Sequence, residues 1–437
     1  MMSTKIKFNS TDIGLIPEDW TVKELQDVTL YITDGKHGDC ENKSDSGYYF
    51  LSVKDVIDGK LDYSEARQIM KEDFIETHKR TRLDLGDVLL TNSGTIGRLA
   101  IAEDLEKTKK TTFQKSVAIL KPNKEILDTY FLYYYLLANT SRIIEQGRGT
   151  TQHNLLLKDL RSFKIAFPSL KTQKNIISSL RTIDEKITLN HQMNKTLDDI
   201  GESIFKHWFI DFEFPNKNGK PYRSSDGELV FNTTFSKDIP ETWTISNIGD
   251  ELKITLGGTP STTNKSFWKN GTEAWINSGK INEFRITEPT TYITKEAIRN
   301  SATKLLPKST TVLAITGATL GQISRLEIDT CANQSVIGII ESDHIPSEYV
   351  YYWIRYTIDE IIRYQTGGAQ QHINKNNVEN SKILIPSEKI IQEYKKIIQP
   401  LFEKISLLCF EINKLIQLRN SLLSKLLFGQ MKFQEEV

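Results

Sequence analysis

A chain of 437 residues is long enough for about two to four domains. Its 56 Lys+Arg are matched by 56 Asp+Glu, which excludes a bulk polycation but leaves room for basic loops beside acidic helices. Cys40, Cys331 and Cys409 stand far apart with no CxxC and no nearby histidine pair, which argues against a disulfide scaffold or a structural zinc; with no apolar N-terminal region and no membrane-length apolar run, a soluble cytoplasmic protein is expected.

In chain order, Ile16-Pro17-Glu18-Asp19-Trp20 opens a region of mixed strand and helix. Short strands with Gly, Thr and Asn turns are expected over 84–102, a further strand over 114–119 and an aromatic, buried helix over 128–146. A polar Gly-containing loop at 148–154 then leads to a strand ending in Phe167-Pro168-Ser169. From 173 to 209 apolar residues recur at steps of four and three: Ile176, Leu180, Ile183, Ile187, Leu197, Ile204 and Trp208. Asn190, Asn194 and Gly201 fill the intervening seam positions, giving a heptad-like stripe. At about 1.5 Å per residue such a helix would be roughly 55 Å long. It cannot bury that stripe on itself, so it needs a partner helix.

Residues 212–238, rich in Asn, Lys, Gly, Pro and Ser, read as a linker. Beyond them the whole plan recurs. Ile239-Pro240-Glu241-Thr242-Trp243 repeats the opening motif, and Leu313-Ala314-Ile315-Thr316-Gly317-Ala318-Thr319-Leu320-Gly321 repeats Leu89-Leu90-Thr91-Asn92-Ser93-Gly94-Thr95-Ile96-Gly97. Gln334-Ser335-Val336 follows Gln114-Lys115-Ser116, Tyr349-Val350-Tyr351-Tyr352-Trp353 follows Tyr130-Phe131-Leu132-Tyr133-Tyr134, and Ile385-Pro386-Ser387 follows Phe167-Pro168-Ser169. A second stripe, Ile398, Leu401, Ile405, Leu408, Ile412, Leu415, Leu422 and Leu426, keeps the register of the first. At one constant offset Ile398 answers Leu180, Ile405 answers Ile187 and Leu426 answers Trp208. Pro400 near its start predicts a bend or a restart. The reading is a tandem duplication of α/β (α+β) class: a first globular domain over 1–168, a long helix over 169–211, the linker over 212–238, a second globular domain over 239–386, and a second long helix with a tail over 387–437.

A catalytic site is not legible. There is no GxGxxG, no Gly-Lys pair is followed by Ser or Thr, and without consecutive prolines there is no Asn-Pro-Pro-aromatic motif of an amino-methyltransferase. Asp34-Gly35-Lys36-His37-Gly38-Asp39 reads as a polar loop without a counterpart in the second repeat, and Glu393-Tyr394-Lys395 as a solvated helix face. Binding chemistry remains. The loops 148–154 and 370–376 are dense in amide, hydroxyl and basic side chains; Asn and Gln pair with adenine and Arg and Lys with guanine, while Lys and Arg also hold phosphates. The candidates for DNA contact are Lys36, His37, Thr95, Arg98, Arg148, Thr150, Gln152, His153, Thr319, Gln370, Gln371, His372 and Lys375. Each loop alone is equally an ordinary surface turn, and Gln152 and His153 also suit a helix cap.

The two-repeat plan resembles the specificity (S) subunit of type I restriction-modification systems. The resemblance covers nearly the whole chain and rests on the Ile-Pro-x-x-Trp starts, Gly257-Gly258-Thr259-Pro260-Ser261 with Trp275-Ile276-Asn277-Ser278-Gly279, the segment Ala314 to Gly321, Asn333-Gln334-Ser335-Val336, the pre-helix Pro-Ser segments and the two long helices. It implies two target-recognition domains, each followed by a long helix, the helices packing as an antiparallel coiled coil that spaces the domains. It implies further that each domain reads half of a split double-stranded DNA site, and that the chain docks two modification subunits, which bind S-adenosylmethionine and methylate adenine. Restriction subunits, which use ATP and Mg, would join that core, and this chain would hold no cofactor and no metal of its own. Residues 33–47 do not match 257–270, so two different half-sites and an asymmetric target are expected. A non-catalytic coiled-coil adaptor with two protein-binding heads is the competing reading, and a stand-alone nuclease a third.

Overall fold

The computed structural model describes residues 7–57, 59–148, 154–363 and 371–430. The chain divides into two compact units, Met1–Ile187 with Leu415–Val437, and Thr188–Lys414. Each unit therefore holds one repeat's globular part and one end of each long helix.

Both globular parts are built on a four-stranded antiparallel sheet of the same order. In the first unit the order is Thr29–Asp34, Val117–Pro122, Val88–Thr91, Leu99–Ile101; in the second it is Lys253–Leu256, Val336–Ile340, Thr311–Ala314, Ile323–Arg325. The middle strands are buried on both faces, and their side chains alternate as a strand requires. Val88, Leu90, Ala118 and Leu120 pack toward the helices, whereas Leu89, Val117 and Ile119 pack with Leu51, Val56 and Phe113. In the second unit Leu313, Ile337 and Ile339 take the helix side, and Val312, Ala314 and Val336 the other. Two parallel pairs cover that other face: Tyr49–Leu51 with Thr111–Phe113, and Glu273–Ile276 with Thr330–Ala332.

The recurring motifs have a shared mechanical reason. Thr21–Glu24, just after the first Ile-Pro-x-x-Trp, pairs antiparallel with Lys164–Phe167, and Thr244–Asn247 pairs with Lys382–Ile385. Each globular part thus closes its ends together immediately before a long helix begins.

Residues 212–238, expected as a linker, are folded. Leu229–Asn232 and Lys237–Pro240 form a hairpin equivalent to Phe8–Thr11 with Gly14–Pro17, so each repeat starts with a hairpin ahead of its tryptophan. Phe212 and Phe214 are buried, and both lie against the Trp243 ring. Tyr222, Leu229 and Phe235 pack against the same core, so a few apolar side chains anchor a segment of otherwise polar composition.

The long helices span Leu170–Phe205 and Glu388–Leu427. In the first unit Asp184 accepts a hydrogen bond from Arg419, and Ile176, Ile177 and Leu180 share a core with Leu423, Leu426 and Leu427. In the second, Asn194 meets Cys409, Gly201 faces Ile398 and Trp208 meets Tyr394, so rising numbers on one helix oppose falling numbers on the other. The pair is antiparallel. Of the stripe residues, Ile176, Leu180, Ile187, Trp208, Ile398, Ile405, Leu408, Ile412 and Leu426 are buried; Ile183, Leu197, Ile204, Leu401, Leu415 and Leu422 are half-buried. Each fully buried Leu or Ile contributes roughly 1.5–3 kcal/mol.

Four further expectations change. The second helix does not restart at Pro400; the proline is exposed, so the Lys396 carbonyl that loses its N–H partner faces water. The first helix ends in a wider turn over Lys206–Ile210, closed by Asp211 N–H to the Lys206 carbonyl, which buries both Trp208 and Phe209. Tyr394, read as part of a solvated face, is fully buried against Trp208 and Phe209. The aromatic helix of the first repeat is also interrupted: it runs Thr129–Ala138 and Thr140–Glu145, broken at Asn139, whereas Ser347–Ile362 is continuous. Among the described residues no helix is long and apolar enough to cross a membrane.

Candidate nucleic-acid interface

The sheet order decides which loops meet. In the first unit Thr29–Asp34 and Val88–Thr91 end, and Val117–Pro122 and Leu99–Ile101 begin, at one edge of the sheet. The segments 35–39, 92–98 and 114–116 therefore emerge together. Backbone hydrogen bonds knit them: Lys36 N–H to the Phe113 carbonyl, Lys115 N–H to the Lys36 carbonyl, and Asn92 N–H to the Ser116 carbonyl. Arg148 and Asn154 exchange two backbone hydrogen bonds of 2.9 Å, and Leu155 N–H beside them donates to the Asn92 carbonyl, which joins them to this edge. The second unit repeats the arrangement. Ile315 N–H donates to Ser335, Ile373 N–H to Ile315, Gly317 N–H to Gln371, and Gly257 N–H to Val336.

Close backbone approach explains two glycines. A Cβ on Gly35 would lie 2.0 Å from the Phe113 carbonyl oxygen, and one on Gly257 2.1 Å from that of Asn333. The 34–39 loop therefore does have a counterpart in the second repeat, in its backbone though not in its side chains.

The candidates have distinct surroundings. Lys36 is half-buried, and its ammonium meets Asp73 at 3.2 Å and Glu76 at 3.3 Å. Burial works against its charge, but the hydrogen bonds to these carboxylates outweigh it and its pKa is raised. His37 is exposed, 3.6 Å from Asp34. Thr95 and Arg98 are exposed on a turn held by Thr91, whose hydroxyl accepts from the Arg98 N–H and donates to the Thr95 carbonyl. Arg148 is exposed and pairs with Asp159 at 3.2 Å. In the second unit Thr319 is half-buried, Gln371 and His372 are exposed, and Lys375 pairs with Glu379 at 3.0 Å. Thr150, Gln152, His153 and Gln370 lie outside the described residues.

Other residues belong to the same edge and were missed as site candidates. Gln114 and Gln334 occupy equivalent corners, and Thr259 donates to Gln334 Oε1 at 2.6 Å. The recurrence of Gln ahead of each strand was the available signal. Asn374, in the loop read as base-contacting, instead caps the helix Lys375–Glu379, its side chain accepting from Asn377 N–H.

Comparison with known proteins gives this edge its context. The sequence family described as the type I restriction modification DNA specificity domain matches residues 17–199 and again 240–418. The chain belongs to that family. It is a type I specificity subunit with two recognition domains, the non-catalytic component of its system. It is 26% identical over 437 residues to the specificity subunit of the MjaIX enzyme of Methanocaldococcus jannaschii, covering 98% of this chain and 97% of that one. It is 24% identical to the HindI specificity subunit of Haemophilus influenzae, covering 94% of this chain and 100% of that one. The crystal structure of the S subunit from M. genitalium, 16% identical, superposes with a TM-score of 0.55 over 96% of this chain and 97% of that one, which shows a shared fold.

In this specificity subunit the second recognition domain is tied to both long helices by a charge cluster that sequence reading did not find. Arg285, fully buried, donates to Asp198 of the first long helix at 3.2 Å and to Tyr351 Oη at 2.8 Å. Arg355 reaches Asp198 at 2.7 Å and Glu202 at 2.9 Å, and Arg325 pairs with Glu327 at 2.8 Å. The Arg285 and Arg325 guanidinium groups lie over the Phe402 ring of the second long helix. Burial disfavours the Arg285 charge, and Tyr351, Asp198 and Glu327 more than restore it. In the first domain the link is thinner: Asp184, partly exposed, accepts from Tyr134 and Arg419. Arg285 and Asp198 are 87 residues apart, so no local pattern announces them.

Proposed function

We propose that this specificity subunit reads a bipartite, asymmetric double-stranded DNA site, one half with each recognition domain. The observation that carries the reading is the repetition of one loop-bearing sheet edge in both domains with different side chains on it: His37, Arg98 and Lys115 on the first, Thr259, Ser261, Gln334 and Gln371 on the second. Basic groups suit phosphates, and amides and hydroxyls suit base edges. We further propose that the chain docks two modification subunits and, through that core, restriction subunits. In support, Leu189 and Ile200 on the first long helix recur as Leu407 and Leu418 on the second, in the register that relates the two stripes, and all four are exposed. Two equivalent apolar positions suit two copies of one partner. S-adenosylmethionine, ATP and Mg belong, in this reading, to those partners and not to this chain.

The test is mapping of N6-methyladenine in cells that express the neighbouring modification subunit with and without this chain. Methylation of a split, asymmetric motif only when this chain is present is expected. An active modification subunit whose motif did not depend on this chain would overturn the reading.

A further inference from the structure

The two recognition domains differ in an element beside the loop-bearing edge. In the first it is the eleven-residue helix Lys71–Thr81; at the equivalent place in its own repeat, the second has only the five-residue Lys295–Arg299. The longer helix is fixed to the loop edge. Asp73 accepts from Lys36 and from Glu41 N–H, Arg80 pairs with Asp34 at the end of the sheet strand, and Thr81 Oγ1 lies 3.2 Å from Thr112 Oγ1. One face is buried, with Phe74, Thr77 and Thr81, and Phe74 is packed between Tyr48 and His78. The opposite face carries Glu72, Ile75 and Lys79 at helical spacing, all exposed, and Arg82 is exposed at the C-cap.

We propose that Lys71–Thr81 is the helix with which the first recognition domain enters the major groove, Glu72 and Ile75 meeting base edges and Lys79 and Arg82 meeting phosphates. The inference rests on the DNA-reading function proposed above and deepens it. A helix with its side chains is about 10–12 Å across, and the major groove is about 12 Å wide. Glutamate accepts from the cytosine amino group and an aliphatic side chain packs on the thymine methyl. The cations gather in the last turn, with Lys79, Arg80 and Arg82 in four residues, and Arg80 is held back by Asp34. Continuity with the loop edge directs this face to the ligand of those loops. The second domain, with a single turn here, reads its half-site with the exposed hydroxyl and amide loop that runs from Thr259 to Asn264.

The experiment selects bound sequences from a randomised duplex library with the assembled complex of this chain and its modification subunits. The wild-type complex is expected to select two half-sites. Glu72→Ala combined with Ile75→Ala is expected to lower base discrimination about tenfold in one half-site and to leave the other half-site and the gap unchanged. Lys79→Ala, a second and independent variant, is expected to weaken binding equally on all sequences and to lower the slope of log affinity against log salt by about one. A double variant that still selects both half-sites as the wild type does overturns the inference while the DNA-reading function stands. So does one that assembles and melts as the wild type does but loses both half-sites together. A wild-type complex that selects no sequence removes the function itself.

Discussion

At the scale of single residues, backbone crowding makes the sharpest prediction. Gly35 and Gly257 sit where a methyl group would strike a neighbouring carbonyl, and neither neighbour is a flexible side chain end that could move aside. Gly35→Ala and Gly257→Ala should each cost roughly 2 kcal/mol or more and lower the melting temperature by a few degrees. Gly279→Ala, where only Asn277 Oδ1 lies within reach at 3.2 Å, should melt close to the wild type. Equal melting of all three would show that the loop edge is looser than its backbone bonds imply. The cysteines give a second check. Burial pushes the Cys331 and Cys409 thiols up to about 11 and also raises Cys40, so few thiolates form near pH 8. Native protein should therefore react slowly with a thiol reagent, and all three cysteines should react once it is denatured. Rapid native labelling of Cys40 or Cys331 would contradict their burial, and rapid labelling of half-buried Cys409 would contradict its raised thiol pKa. Lys36 shows why residue type alone misleads: the sequence offered a phosphate-binding cation, whereas Asp73 and Glu76 already engage it and make it a brace for the neighbouring helix.

At the scale of elements, the long helices were legible because a seam of apolar residues cannot be disguised: it must recur at 3.5-residue intervals or fail to pack. What the seam could not announce is where domains grip it. Asp198 is an ordinary acidic residue in the sequence, but it lies buried against Arg285 and Arg355. Asp198→Asn leaves the Arg285 guanidinium buried without its main counter-charge and should cost roughly 3–5 kcal/mol. Because the pair is buried, the loss should be nearly the same at low and high salt. Thermal unfolding at both salt concentrations measures it, and a loss that vanished in salt would mark the pair as solvent-screened. The spacing role that the family resemblance implies can be tested on the same helices. Seven residues added at Lys195 and seven at the facing position near Leu408 keep each seam on its side and add about 10 Å. Methylation mapping should then return the same half-sites with a gap longer by about three base pairs, at about 3.4 Å each. An unaltered gap would sink the ruler reading.

At the scale of the whole molecule, duplication made the fold readable. A single polar turn such as Ser93-Gly94-Thr95-Ile96-Gly97 says little, but its recurrence as Gly317-Ala318-Thr319-Leu320-Gly321, between the same strands, must serve the same sheet. The parts that stayed hidden are those in which the repeats diverge or in which polar composition outweighs a few apolar anchors: the Lys71–Thr81 helix, the buried arginine cluster, and the hairpin of Leu229–Asn232 with Lys237–Pro240. Divergence at the loop edge and in the helix beside it, carried on a sheet of one shared order, is what a reader of two different half-sites requires. It follows that the domains should be exchangeable units, each bringing its own half-site. A chain in which residues 17–168 are replaced by 240–386, with Ile416→Asp to supply the carboxylate that Asp198 gives Arg285, keeps both strands that close the domain, because Thr244–Asn247 still pairs with Lys382–Ile385 ahead of the first long helix. With both positions reading alike, the methylated motif should carry one half-site twice, on either side of an unchanged gap. If the exchanged chain assembles with its modification subunits and the original asymmetric motif persists, the specificity does not reside in the globular domains, and the loop edge is not the reader.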